Sequence, residues 1–175
     1  DALPISGSLK VQQFEGGQSN PTFLLSTPDH SYVLRRKPAG ILLKSAHAVD
    51  REYRITKVLH EAGLPVAEPL LLCEDEDVIG SIFYVMRYVE GETLEQAISE
   101  YHKTYSFSQP EPGQRLAFQG LLNSFISFCN TIAYANSKGY IHRDIKPANL
   151  MLGMYGETLV LDWGLAKKFG EPDSS

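Results

Sequence analysis

The most informative polar loop of the chain directly follows its longest predicted helix. Apolar side chains recur at helical spacing over residues 115–138. The next loop reads HRDIKPAN at 142–149, and the tripeptide DWG follows at 162–164, after a segment whose pattern predicts a hairpin. A helix, a polar loop and a hairpin in this order predict one polar site that the three elements share.

The residue types in this segment indicate a particular chemistry. Asp144 and Asn149 lie on one loop, and the hairpin can bring Asp162 beside them. A carboxylate and an amide oxygen are ligands that suit Mg²⁺ and its bound phosphate oxygens. A further carboxylate can position a hydroxyl group and accept its proton. The segment therefore predicts magnesium and phosphate chemistry.

The order H-R-D-x-K-x-x-N followed by D-x-G is similar to the catalytic loop and metal-binding segment of Ser/Thr protein kinases. This resemblance implies that Asp144 is the catalytic base and that Lys146 neutralises the transferring phosphoryl group. It also implies that Asn149 and Asp162 hold Mg²⁺ between the phosphate oxygens of ATP. The alternative is a chance HRD in a loop, which would require the further matching positions to coincide.

The same resemblance implies roles for three neighbouring residues. His142 would pack near the Asp162 turn, and Arg143 would pair with a phosphorylated activation loop where one exists. Trp163 stands where the kinases usually have Phe, so the packing that distinguishes active from inactive states could differ. Small-molecule phosphotransferases of the aminoglycoside type usually show H-G-D and lack the lysine, so Lys146 favours a protein acceptor.

The first half of the chain resembles a different branch of the same superfamily. FEGGQSNPTFLL, YVLRRKPAG and SAHAVDREYRITKVLHEAGLPVAEPLLLCED are similar to the nucleotide-binding lobe of aminoglycoside-phosphotransferase-like enzymes. Paired glycines let a backbone approach phosphate oxygens closely. The resemblance therefore implies phosphate contacts from a loop made of Gly16, Gly17, Gln18, Ser19 and Asn20. Taken alone, GGQSN is also a common hairpin turn.

The third predicted strand carries the cation that such a lobe needs. V-L-R puts Arg35 where a positive charge would meet the α- and β-phosphates, with Val33 on the same face against the adenine. Glu52 is the implied acidic partner on the following helix. An ordinary surface ion pair between Arg35 and Glu52 is the alternative. Arginine at this position is normal for the phosphotransferase-like group and unusual for a protein kinase.

The segment FYVMRYVEGETL joins the two halves and predicts a hinge. Met86 would lie behind the adenine, or would serve only as core packing. The backbone of Arg87, Tyr88 and Val89 would offer hydrogen bonds to the base. The different resemblances of the two halves suggest that two lineages join near 78–92.

These patterns predict an α+β fold of the bilobal, protein kinase-like type. Residues 1–89 form a nucleotide-binding N-lobe with a five-stranded antiparallel sheet and one helix, and residues 90–175 form a partial, helical C-lobe with the catalytic loop. The predicted strands cover 9–14, 22–25, 31–36, 70–73 and 78–89, and the helix covers 45–62. Because the chain stops soon after Asp162, we expect an incomplete C-lobe. We also expect helix 115–138 to expose an apolar face to a second copy or a partner chain.

Composition argues against several other classes. Of 175 residues, 43% are apolar and 21% are charged, and the formal net charge is −5, which disfavours a basic nucleic-acid binder and a disordered chain. No unbroken apolar run reaches the length of a membrane span, so no membrane contact is expected. Cys73 and Cys129 lack metal-ligand spacing and predict two reduced thiols in a cytoplasmic protein, with a disulfide as the weaker alternative.

The leading functional hypothesis is an ATP-dependent phosphotransferase of the Ser/Thr protein kinase type, which moves the γ-phosphate of Mg·ATP to a hydroxyl group. The second hypothesis is a small-molecule acceptor of the aminoglycoside or choline kind, which rests on the first half of the chain. The third is a nucleotide-binding module without transfer activity, similar to a pseudokinase.

Overall fold

The computed structural model describes the chain in four stretches, residues 7–14, 20–38, 49–105 and 112–170. The chain divides into two compact units. The first unit includes Ala67–Tyr88 and the described residue Gly170, and most of the second unit is Val89–Phe169. The short segment Gly63–Val66 also belongs to the second unit.

The first unit contains a five-stranded antiparallel sheet and, among its described residues, one helix, α1, over Val49–Glu61. The strands are β1 Lys10–Gln13, β2 Thr22–Ser26, β3 Ser31–Arg36, β4 Pro69–Cys73 and β5 Phe83–Arg87. Their order, β1-β2-β3-β5-β4, puts β3 in the centre. This architecture confirms the predicted fold class. The predicted start of the helix at residue 45 lies outside the described residues.

Strand β3 uses its two faces differently. On one face Tyr32 packs with Leu25, Phe83 and Val85 in the main apolar cluster of the unit. Because successive side chains of a strand alternate, Arg35 points to the opposite face, where it is 4% exposed. The sheet therefore buries a cation on the face away from its apolar cluster.

The predicted strand over 78–89 is too long. The strand begins only at Phe83, and the preceding residues Val78 and Ile79 are exposed in a turn. Gly80 closes that turn with φ of +80°, a left-handed conformation that interrupts an extended strand. Apolar content alone could not distinguish this turn from a strand. The acidic residues 74–77 do lie in the connection between β4 and β5, as predicted.

The second unit combines two long helices with short strands. Its elements are β6 Gly91–Thr93, α2 Leu94–Thr104, α3 Pro112–Ser137, β7 Tyr140–Ile141, β8 Leu150–Gly153, β9 Thr158–Val160 and β10 Lys167–Lys168. Strands β6, β8 and β9 form one sheet, and β7 pairs with β10. A capping box between Thr93 and Gln96 starts α2, because each side chain satisfies a backbone N–H of the other residue. The hairpin of β8 and β9 connects the polar loop to the DWG segment.

Helix α3 is mostly exposed. Of its described side chains, only Phe128, Thr131 and Ala135 are buried. Its exposed large apolar side chains are Leu116, Phe118, Leu122, Phe125, Ile126 and Tyr134. The exposed apolar face that the sequence predicted is therefore present, while its binding to a second copy or a partner chain stays a prediction.

By length and composition alone, Gly113–Ser137 is also long and apolar enough to cross a membrane. A search for unbroken apolar runs did not reveal this, because polar uncharged residues interrupt the run. Helices of soluble domains can meet the same criteria, so the absence of membrane contact stays a prediction. Cys73 and Cys129 are both free thiols.

Candidate active site

Three side chains of the polar loop form a hydrogen-bonded group. Lys146 Nζ donates to Asp144 Oδ2 at 2.8 Å, and Asn149 Nδ2 donates to the same oxygen at 2.9 Å. Asn149 Nδ2 also donates to the backbone carbonyl of Asp144 at 2.8 Å. A short 3₁₀ turn over Pro147–Asn149 brings the amide back towards Asp144. The loop thus folds on itself around one carboxylate.

These bonds determine which oxygens remain open. Both acceptors of Asn149 Nδ2 are oxygens, so the orientation of the amide follows from its partners. Within the described residues, Asn149 Oδ1 makes no hydrogen bond, and neither does Asp144 Oδ1. The loop therefore offers one amide oxygen and one carboxylate oxygen for contacts outside itself.

The charges of this group act on one another. The hydrogen bond from Lys146 is the largest cause that lowers the pKa of Asp144, and the bond from Asn149 adds to it. The same contact with Asp144 raises the pKa of Lys146, and the charges of Asp162 and Glu95 raise it further. At neutral pH the loop therefore holds a carboxylate and an ammonium as an ion pair. The Asp162 charge also acts on Lys146.

His142 connects the polar loop to the segment that precedes Asp162. It is 2% exposed, and burial lowers the pKa of its imidazole. Its Nδ1 accepts from the Asp144 N–H at 3.2 Å, so its Nε2–H donates to the Leu161 carbonyl at 2.9 Å. This pattern requires the neutral ring with its proton on Nε2. The ring also packs on Trp163, with ring centres 4.5 Å apart, as the resemblance implied.

Asp162 lies next to the polar loop through backbone pairing. The N–H of Leu161 donates to the carbonyl of Asn149 at 2.8 Å. Asp162 itself adopts a left-handed conformation with φ of 58° and ψ of 65°. The structure thus brings the segments that carry Asp144, Asn149 and Asp162 together in the second unit.

The sequence did not predict two contacts in this region. Arg143, which also has a positive φ of 69°, donates through Nε to the Leu165 carbonyl at 2.7 Å. The Trp163 indole donates to the Val160 carbonyl at 3.1 Å. A buried indole N–H usually has an acceptor, so the replacement of Phe by Trp was the available signal. The pairing of Arg143 with a phosphorylated segment stays a prediction.

In the first unit, Arg35 and Glu52 form a buried ion pair. Arg35 on β3 and Glu52 on α1 approach to 2.7 Å, and their side chains are 5% and 2% exposed. The alternative of an ordinary surface pair is therefore wrong. A buried guanidinium whose position is fixed by a carboxylate can present its charge in one direction.

The residues predicted to surround adenine share the Arg35 face of the sheet. Val33 and Met86 are direct cross-strand partners of β3 and β5, so their side chains are neighbours. In the predicted hinge, the Arg87 N–H donates to the Glu68 carbonyl and the Tyr88 N–H donates to the Ser31 carbonyl. The predicted hydrogen bonds from the backbone of Arg87, Tyr88 and Val89 to a base stay predictions.

One residue of the predicted phosphate loop, Asn20, is among the described residues. Gly16, Gly17, Gln18 and Ser19 lie outside the described residues. Asn20 is described and is 4% exposed, and the Thr22 hydroxyl donates to its carbonyl at 3.0 Å. The phosphate contacts of these five residues stay predictions.

The antiparallel sheet with its helix, followed by the HRD loop and the DWG segment, is the kinase-like fold. Residues 10–117 match the phosphotransferase enzyme family known as APH. The match covers more than half of the chain, so the chain belongs to this family. Asp144, Asn149 and Asp162 lie beyond the matched residues.

Proteins similar to this chain include an acyl-CoA dehydrogenase family member and a serine/threonine-protein kinase. Acyl-CoA dehydrogenase family member 11 of Gallus gallus is 43% identical over 147 residues, covering 80% of this chain and 18% of that protein. Serine/threonine-protein kinase PknD of Protochlamydia amoebophila is 38% identical over 144 residues, covering 79% of this chain and 12% of that protein. The chain thus spans less than a fifth of these relatives. Each similarity runs through residues 78–92, so the suggested join lies inside a region that single relatives share.

Among solved structures, a candidate aminoglycoside phosphotransferase from Ralstonia eutropha JMP134 is similar to this chain. It aligns with a TM-score of 0.56 and 26% identity. The alignment covers 94% of this chain and 61% of that chain. This similarity supports the assignment of the fold.

The buried ion pair of the first unit gives a testable expectation. Glu52→Gln should lower the free energy of unfolding by about 3 kcal/mol, because it leaves the Arg35 charge buried without its carboxylate. Urea unfolding at neutral pH measures this change. Glu74→Gln removes the exposed partner of Arg54, in a pair that is 62% and 59% exposed, and should cost less than about 1 kcal/mol. Equal effects of the two substitutions would contradict the buried pair.

The ion pair of the polar loop predicts a pH effect of defined sign. Because Lys146 lowers the pKa of Asp144, the pair stabilises the fold at neutral pH, and this contribution disappears as pH falls through the lowered pKa. In Lys146→Met the pKa of Asp144 should rise towards its usual value, which ¹³C NMR titration of the carboxyl group measures. Lys103→Met removes an exposed lysine bonded to Glu100 and should leave that pKa unchanged. An unchanged Asp144 titration in Lys146→Met would contradict the assignment.

Proposed function

We propose that this chain transfers the γ-phosphate of Mg·ATP to a hydroxyl group. The observation that carries the proposal is the double hydrogen bond of Asn149 Nδ2 to Asp144, which leaves Asn149 Oδ1 and Asp144 Oδ1 open beside the Asp162 segment. Membership of the phosphotransferase enzyme family supports the reaction class. The roles of the individual residues follow from their contacts.

The donor set suits magnesium better than a tightly caged metal. Asn149 Oδ1 and the Asp162 carboxylate are hard oxygen ligands. Among the described residues, no group of three or more His, Cys, Asp or Glu side chains could hold a metal ion. Mg²⁺ binds through one or two protein oxygens and completes its shell with phosphate oxygens and water. Bound there, it would neutralise the charge that develops on the phosphate oxygens.

Asp144 would orient the acceptor. Its Oδ1 can accept a hydrogen bond from the acceptor hydroxyl, while Lys146 and Asn149 hold Oδ2. The lowered pKa of Asp144 makes it a weak base, which suits a loose phosphoryl-transfer transition state that needs positioning more than early proton removal. The acceptor oxygen bonds to the γ-phosphorus as the bond to the β–γ bridging oxygen breaks. ADP leaves, and the hydroxyl proton passes to Asp144.

Two cations would contribute charge to the phosphates. Lys146 is half exposed, and its ammonium can reach a γ-phosphoryl oxygen while it remains near Asp144. In the first unit, Arg35 would contact the α- and β-phosphates, because Glu52 fixes its guanidinium. Val33 and Met86 would contact the adenine from the same sheet face.

The acceptor we favour is a Ser or Thr hydroxyl of a protein. The direct bond of Lys146 to Asp144 supports this choice, because it follows the pattern H-R-D-x-K of protein kinases. A small-molecule hydroxyl is the second candidate, and the family match over residues 10–117 favours it. Because ATP is the donor and both cysteines are free thiols, we expect the reaction to take place in the cytoplasm.

Two substitutions separate binding from chemistry. Asp162→Ala should weaken Mg²⁺-dependent binding of a non-hydrolysable ATP analogue about tenfold or more, because it removes the charged magnesium ligand. Asp144→Asn should keep that binding and lower phosphate transfer by roughly 10²-fold or more, because it removes the group that orients the hydroxyl. Calorimetry measures binding, and radiolabelled ATP measures transfer to protein and to amino-sugar acceptors.

Asp77→Asn, in the exposed connection of the first unit, is the matched control and should change neither quantity. Label on protein alone supports the Ser/Thr assignment, and label on small molecules alone supports the second candidate. Tight Mg·ATP binding without transfer to any acceptor would contradict the proposed reaction and favour a nucleotide-binding module. An unchanged Mg²⁺ dependence in Asp162→Ala would contradict the metal assignment.

A further inference from the structure

Trp163 makes a contact that phenylalanine cannot make. It is the one tryptophan of the sequence, and it is 1% exposed. Its indole N–H donates to the Val160 carbonyl at 3.1 Å. The bond spans Asp162, because it joins the residue after Asp162 to the residue two positions before it. A side chain that served only as apolar filling would not need this donor.

His142 contacts the residues on both sides of Asp162. On the preceding side, the Leu161 carbonyl accepts from His142 Nε2 at 2.9 Å. On the following side, the Trp163 ring packs on the His142 ring with centres 4.5 Å apart. Asp162 lies between these two contacts. Its backbone is in a left-handed conformation, which aspartate adopts less readily than glycine. The surrounding contacts must therefore maintain this backbone conformation.

We propose that Trp163 is a positioning residue for Asp162, and that its indole N–H acts by closing the turn over residues 160–163. The Leu161 N–H within this turn donates to the Asn149 carbonyl at 2.8 Å, so the closed turn would hold Asp162 beside the loop that carries Asn149. The proposal rests on the proposed function, in which Asp162 binds Mg²⁺. The Trp163 indole N–H, and not only the aromatic ring, would then determine the affinity of the site for Mg²⁺.

The test removes the donor and keeps the aromatic ring. In Trp163→Phe, backbone amides of residues 160–165 should exchange with deuterium at least about tenfold faster in the protein without ligand. The Mg²⁺ concentration for half-maximal binding of an ATP analogue should rise about tenfold, as for the loss of other groups that orient a metal ligand. Binding of the analogue without Mg²⁺ should not change.

Two further proteins separate positioning from general stability. Phe128→Leu truncates a buried aromatic residue of α3 in the same unit, and should lower the melting temperature without changing the Mg²⁺ midpoint. Replacement of the single tryptophan by 3-benzothienylalanine keeps the ring shape and removes only the N–H, so it decides the question if Trp163→Phe does not fold. It should reproduce the Trp163→Phe effects.

Unchanged exchange over 160–165 in both Trp163 variants would overturn the proposal. Faster exchange with an unchanged Mg²⁺ midpoint would also overturn it, since the bond would then serve stability alone. If the unsubstituted protein binds no Mg·ATP, the proposed function fails, and the exchange measurement still decides whether the indole N–H holds the turn.

Discussion

The site of the second unit depends on the side-chain amide of Asn149. Its nitrogen donates twice to Asp144, to the backbone carbonyl and to the carboxylate, and its own backbone carbonyl accepts from Leu161. One buried residue therefore closes the polar loop and joins it to the segment that carries Asp162. Since the amide nitrogen has two acceptors, the amide oxygen is the atom left for an external ligand. Buried polar groups of this kind restrict the loop to one arrangement, because each alternative would leave a donor or acceptor without a partner.

The same region contains the non-glycine residues with positive φ among those described, Arg143 and Asp162. Such conformations cost energy and persist where surrounding contacts enforce them. Here the enforcing contacts are the bonds from His142, Arg143 and Trp163 to backbone carbonyls of residues 160–165. In the first unit, too, a buried polar contact connects two elements, but it is an ion pair. There, the buried ion pair of Arg35 and Glu52 joins the central strand to α1.

The sequence predicted the elements and the residue groups well, and the finer geometry less well. Alternation and turn residues located β1 to β5, and the motif located Asp144, Lys146 and Asn149 on one loop. The strand over 78–89 was overextended because the exposed turn at Val78 and Ile79 is as apolar as a strand. The sequence also did not reveal that the N–H groups of Arg87 and Tyr88 bond to the carbonyls of Glu68 and Ser31, because this pairing depends on strand register. Register and buried hydrogen bonds depend on distant residues, so a local pattern could not reveal them.

The most direct test of the account replaces Mg²⁺ by paramagnetic Mn²⁺ in the presence of an ATP analogue. In ¹⁵N NMR spectra, the side-chain amide of Asn149 and the backbone amides of Leu161 and Asp162 should lose intensity first, and only when the nucleotide is present. The acidic connection at residues 74–77 should lose little, because its carboxylates are consecutive and solvated. Broadening confined to residues 74–77, or unchanged signals at Asn149 and Asp162, would contradict the central claim that these two residues hold the metal of a phosphotransferase.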